Sequence, residues 1–125
     1  MIIVTNNDDV RDMAGQDYKV QFEETDYLGI LKICRDMIHK GYELLTHPLY
    51  GSVKPNETPY RSIALKENDI LSMDSVTMIE DAISTAIKFQ GNKSTPDWND
   101  SVLDDFKVID LDIFTNTIQR MQYED

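Results

Sequence analysis

Apolar and polar positions follow two periods along this chain. Ile2-Ile3-Val4-Thr5 is a short β-branched run ended by Asn6-Asn7-Asp8-Asp9, the pattern of a buried strand entering a polar loop. Asp9 to Met13 fits one helical turn before Gly15. Tyr18-Lys19-Val20-Gln21-Phe22 alternates apolar with polar side chains, as a half-buried second strand does. The period then changes. Tyr27, Ile30, Leu31, Cys34, Met37 and Ile38 recur at the spacing of one helical face. Thr25 or Asp26 can cap this helix, and Lys40 and Gly41 suit its end, a cation near the negative pole and a glycine just beyond.

Tyr42 to Thr46 reads as a third strand, stopped by His47-Pro48. Strand, helix and strand at this spacing predict a right-handed crossover with parallel strands. From Pro48 to Pro59 the pattern lapses, because Pro48, Pro55 and Pro59 each remove a backbone donor and bias the residue before them away from helix. Tyr60 to Leu65 predicts a fourth strand. Val76, Ile79, Ala82, Ile83, Ala86 and Ile87 mark a second helix, capped by Asp74 or Ser75 and closed by Gly91. Residues 91–100 have loop composition. A last helix is predicted from about Asp110, with Ile113, Phe114, Ile118 and Met121 inward, and the apolar Phe106, Val108 and Ile109 before it fit strand or helix. The expected fold is a small α/β single domain spanning 1–125. It has a mostly parallel sheet of about four strands, in two or three layers, covered by three main helices near 26–40, 74–90 and 110–123.

Composition narrows the partners. The chain has 125 residues and a formal charge of −11, which disfavours a nucleic-acid backbone as partner. Residues 1–50 carry net −4 and residues 69–125 net −8, whereas 51–68, with Lys54, Arg61 and Lys66, carry net +1. The negative field is relieved there alone. No run approaches the ~20 apolar residues of a membrane span, and the start lacks a signal-peptide pattern. The single Cys34, inside an apolar helical stripe, closes no internal disulfide. These features predict a cytoplasmic protein without membrane attachment. Six methionines and six tyrosines can serve a homodimer interface or the core.

In an open α/β sheet ligands bind outside the carboxyl ends of the strands. If the first and third strands are parallel neighbours, Thr5-Asn6-Asn7 and Thr46-His47-Pro48 open onto one rim, over which the proline-rich loop can fold. The candidate ligand-binding residues are therefore Asn6, Asn7, His47, Lys54, Asn56, Thr58 and Arg61. Their cations, amides, hydroxyls and imidazole suit a carboxylate or phosphate. Each also has a structural use: Asn6 and Asn7 as strand-ending residues, His47 as a turn residue, Arg61 as the partner of a surface acid. Catalytic signatures are missing. Gly51-Ser52-Val53-Lys54 lacks the spacing of a phosphate-binding loop, and neither a dinucleotide fingerprint nor a Gly-x-Ser-x-Gly elbow occurs. His39, His47 and Cys34 are too few for a structural zinc site, and Asp104, Asp105, Asp110 and Asp112 lack the order of an EF-hand. No metal or cofactor is expected, and no catalytic residue is assigned, His47 being the candidate.

The long segment Leu45-Thr46-His47-Pro48-Leu49-Tyr50-Gly51-Ser52-Val53-Lys54-Pro55-Asn56-Glu57-Thr58-Pro59-Tyr60-Arg61-Ser62 resembles the GrdX family. The opening Ile2-Ile3-Val4-Thr5-Asn6-Asn7 and the stretch Asp104 to Asp112 are similar to it as well. The resemblance implies a setting, the glycine, sarcosine and betaine reductase gene clusters of anaerobic amino-acid-fermenting bacteria, without a mechanism. One cysteine gives no dithiol pair, so electron handling is not expected of this chain. Three readings follow: a non-catalytic accessory or regulatory protein that contacts a protein partner or senses a small anionic metabolite; a small enzyme with His47 as acid or base and Lys54 and Arg61 clamping an anion; or a structural interaction module.

Overall fold

The computed structural model describes residues 1–51 and 53–124, the last three as backbone only. Its elements are β1 (Ile2–Thr5), α1 (Asp8–Ala14), β2 (Lys19–Phe22), α2 (Tyr27–His39), β3 (Tyr42–Leu44), β4 (Ser62–Glu67), α3 (Met73–Asn92) and α4 (Asp100–Glu124). The four strands form one sheet in the order β2-β1-β4-β3. β1 pairs with β2 in parallel, and β4 runs antiparallel to both β1 and β3.

Three strands thus point one way, but the sheet is mixed. β1 and β3 are parallel without being neighbours, because β4 lies between them. The reason lies in the connection. The chain leaving β3 meets no crossover helix; it travels along the rim and re-enters the sheet at the end where it left, which dictates an antiparallel β4. Thr5 consequently faces Ser62, and the carboxyl ends of β1 and β3 share a rim with the amino end of β4.

Strand alternation sorts the core into two halves. Ile2, Val4, Ile63 and Leu65 face α2 and α3, packing on Tyr27, Ile30, Leu31, Cys34, Ile38, Ile79, Ala82 and Ile83. Ile3 and Ala64 face the other way, onto Val10 and Ala14 of α1 and Phe114 and Ile118 of α4. The architecture is three layers, helices on both faces of the sheet.

Local chemistry sets the helix ends. Asp26 caps α2, its carboxylate accepting from the Gly29 amide at 2.7 Å. Gly41 follows with φ +107°, a conformation that favours glycine, and its carbonyl accepts from the Asn68 amide at 2.7 Å. The cap of α3 is Ser72, two residues before the expected Asp74, and the helix runs through Gly91 to Asn92. α4 starts ten residues earlier than the apolar spacing suggested. Asn99 accepts from the Val102 amide at 3.0 Å, so Phe106, Val108 and Ile109 are helical. Among the described residues no helix is long and apolar enough to cross a membrane.

Candidate functional site

The rim carries a cleft of about 240 Å³ between the loop after β3 and the inner face of α4. Thr46, His47, Leu49, Tyr50 and Gly51 form one wall, Arg61 and Ser62 the floor, and Ile113, Phe114, Thr117 and Arg120 the other wall. Spacing on α4 explains that last set, because positions i, i+4 and i+7 share a helical face.

Arg61 dominates the floor. It is only 1% exposed although it carries a permanent charge. Its Nε donates to the Pro48 carbonyl at 2.6 Å, and Nη2 donates to the His47 carbonyl. The guanidinium stacks on Tyr50, Cζ lying 3.4 Å from the ring centroid. The loop after β3 is therefore wrapped around a buried cation. Among the described residues Nη1 has no hydrogen-bond partner. A buried donor left unpaired costs ~1–3 kcal/mol, so an acceptor that reaches it gains that amount.

A buried anion stands behind this cation. Asp110, 1% exposed, accepts from Tyr50 Oη at 2.6 Å, Ser62 Oγ at 2.8 Å and Asn7 Nδ2 at 3.0 Å. One carboxylate thus joins α4 to the loop, to β4 and to the start of α1. Thr5 Oγ1 lies 2.7 Å from Ser62 Oγ and extends the network into β1. Burial raises the Tyr50 hydroxyl well above its ordinary range; the Arg61 charge opposes this shift and Asp110 adds to it. Tyr27 is also raised by burial, against the pull of Arg61. Burial pushes the Cys34 thiol up to about 12, so it stays protonated and unreactive at neutral pH.

Of the seven candidate residues, His47 and Arg61 line the cleft together. His47 is exposed, and its Nδ1 lies 3.0 Å from the Leu49 amide. Asn6 lies beneath the loop, donating to the Thr25 and Pro59 carbonyls at 2.8 and 2.7 Å and accepting from the Arg61 amide at 2.9 Å. Asn7 caps α1 and holds Asp110. Thr58 is buried and accepts from the Tyr60 amide at 3.2 Å. Asn56 donates to the Lys93 carbonyl at 2.9 Å, away from the cleft, and Lys54 is exposed. In the acidic stretch Asp110 turns inward while Asp104, Asp105 and Asp112 are exposed, and the described residues hold no group of three or more acids, histidines or cysteines placed to bind a metal.

Two site residues escaped the sequence reading, and a third, Asp110, entered it only as part of an acidic cluster. Tyr50 sits in an irregular loop, and Arg120 lies between Ile118 and Met121 without belonging to the apolar stripe that defined the last helix. Asp110 left a signal: it precedes Phe114 and Ile118 at four-residue steps, so an acid occupies the inward stripe.

The family model described as GrdX-like protein matches residues 2–119. The chain belongs to the GrdX-like family. No curated protein and no solved structure matches it. The GrdX-like match spans the loop, Arg61 and Asp110, and ends one residue before Arg120.

Proposed function

We propose that this protein is a non-catalytic accessory or regulatory protein of a glycine, sarcosine or betaine reductase system that holds a small anionic metabolite in the rim cleft. One observation carries the reading: a fully buried guanidinium, with an unpartnered Nη1, forms the floor of a cleft. Arg120 at the far wall supplies a second cation. Thr46 Oγ1 accepts from the Ala64 amide at 3.1 Å and keeps its own proton to donate. At about 240 Å³ the cleft falls below the ~300–1,000 Å³ of drug-sized sites, which suits a metabolite of a few heavy atoms over a nucleotide. The reductase setting comes from family membership. A buried, protonated Cys34 fits a role outside electron transfer.

The test is a thermal-shift series on the wild-type chain and on Arg120→Ala with phosphate, acetate, acetyl phosphate, glycine, sarcosine and betaine. A ligand at 100 times its Kd adds ~2.7 kcal/mol, or roughly 10 °C for a domain of this size. Arg120 is exposed, so its removal leaves the fold intact and lowers the shift if the cleft is the site. No shift with any anion ends the ligand-sensing reading and directs the search to a protein partner by pull-down with reductase components.

A second reading rests on His47, which lines the same cleft and has its Nδ1 engaged by the Leu49 amide. It is a small enzyme in which His47 moves a proton at an anionic substrate clamped by Arg61 and Arg120. Turnover abolished in His47→Ala, with anion binding retained, would establish it.

A further inference from the structure

The irregular loop 48–59 borders a second cleft, on the side away from Arg61. This cleft, of about 260 Å³, is lined by Asn56, Glu57, Lys93, Pro96, Trp98 and Phe106. Three side-chain bonds build it. Asn56 Nδ2 donates to the Lys93 carbonyl at 2.9 Å, Gln90 Nε2 to the Pro55 carbonyl at 3.2 Å, and Trp98 Nε1 to the Glu57 carbonyl at 2.7 Å. They lock the 54–58 turn to the 93–98 segment, so the cleft is preformed.

What the stitching leaves over defines the ligand. Asn56 Nδ2, Gln90 Nε2 and Trp98 Nε1 are each engaged at a backbone carbonyl, Gln90 Nε2 also at Thr95 Oγ1 at 3.0 Å, and two acceptors remain at the cleft. Asn56 Oδ1, on a residue 7% exposed, has no partner among the described residues, and the exposed Glu57 carboxylate stands beside it. Trp98 and Phe106 add an aromatic wall, ring centroids 5.7 Å apart and planes tilted by 46°. An unpaired acceptor, a carboxylate and two aromatic rings are complementary to a cation that carries N–H groups, and the overall charge of −11 attracts one. Lys93 lends its carbonyl and is itself exposed, so its like charge weakens binding without closing the cleft. The geometry points to a binding site for a small organic ammonium ion at Asn56, Glu57, Trp98 and Phe106. The site shares no lining residue with the anion cleft and stands or falls independently of it.

Trp98 is the chain's one tryptophan, so its emission reports on this cleft alone. The experiment titrates methylammonium chloride into the full chain, follows selectively excited Trp98 fluorescence, and repeats the titration with tetramethylammonium and with potassium chloride at equal ionic strength. A saturable change with methylammonium is expected. Asn56→Ala weakens it about tenfold and Glu57→Gln about threefold, while Lys93→Gln tightens it. Tetramethylammonium, which has no N–H for Asn56 Oδ1, binds less well. A response no larger than that to potassium chloride overturns the assignment. So does undiminished binding in Glu57→Gln, a change at an exposed side chain that leaves the fold standing even if Asn56→Ala does not.

Discussion

Replacing Asp110 by alanine tests whether a buried carboxylate clasps α4 to the rim. Asp110 accepts three bonds, at 2.6, 2.8 and 3.0 Å. They differ in what their loss leaves behind. Ser62 keeps Thr5 as a neighbour at 2.7 Å, and Asn7 keeps the Lys107 carbonyl at 3.0 Å. Tyr50 Oη loses the partner it donates to. A hydrogen bond to a charged group contributes ~1.5–3 kcal/mol, and a partly rescued one less. Desolvating the carboxylate offsets part of the sum. The net loss in Asp110→Ala is therefore about 3 kcal/mol, with Tyr50→Phe costing about half of that. For a chain of this length 3 kcal/mol corresponds to a fall in Tm of roughly 12 °C.

The decisive assay is a double-mutant cycle by urea unfolding of the wild type, Asp110→Ala, Tyr50→Phe and the double variant. The two side chains meet directly, so their effects should be non-additive by about 1–2 kcal/mol. A cost below about 1 kcal/mol for Asp110→Ala, together with additive effects, would refute the clasp and leave α4 held by its apolar face and by the Lys107 contacts to Asn7 and Asp8.

Other consequences are simpler to check. Cys34 is raised from 9.0 to about 12, so the native state keeps a proton that the unfolded state loses; this stability is fully present below pH 9 and is lost as pH rises toward 12. The wild type should lose about 1 kcal/mol between pH 9 and 10 in urea titrations. Cys34→Ala should flatten that slope, and Tyr27 and Tyr50 should steepen it only above 10. Gly29→Ala, normally a gain of ~1 kcal/mol inside a helix, should destabilise here, because the added Cβ would lie 1.9 Å from Thr25 Oγ1. Adding Thr25→Ala should recover part of the Tm. Gly41→Ala should cost about 1 kcal/mol or more by urea unfolding, since it forces alanine to φ +107°.

The sheet strands and α2 were legible because their apolar periods are short-range and complete. Ile2 to Thr5 and Tyr27 to Ile38 each declare one face without help from the rest of the chain. The orientation of β4 was not legible, since it depends on where the 48–61 segment travels, and no local period encodes a path along a rim. α4 was legible only in its second half. Its first turns pack Phe106 against Trp98, and those contacts exist only after folding. The rim itself was anticipated from the strand ends. Its chemistry was less so: a sequence shows Arg61 as one cation among twelve, and only the tertiary path of the loop makes it a buried one.

If the cleft holds an anion as proposed, that burial puts stability and recognition in opposition at one side chain. A guanidinium offers five N–H donors. The loop uses Nε and Nη2 for its own carbonyls, the Tyr50 ring takes one face, and Tyr50 links the cation to Asp110. A fold selected for stability alone would close this arrangement by bringing an acceptor to Nη1, or would replace Arg61 with an apolar residue of similar volume. Among the described residues no acceptor reaches Nη1, and the cation is kept. The bond left unmade belongs to a side chain that lines a cleft, and under the proposed reading an anion makes it. It follows that a change supplying an internal acceptor for Nη1 should raise Tm and weaken anion binding together. Arg61→Met leaves the Pro48 and His47 carbonyls without their donor, so it should lower Tm and lose the ligand response altogether. An Arg61 with a purely structural role predicts the same fall in stability with Arg61→Met, and differs in that the wild type then has no ligand response to lose.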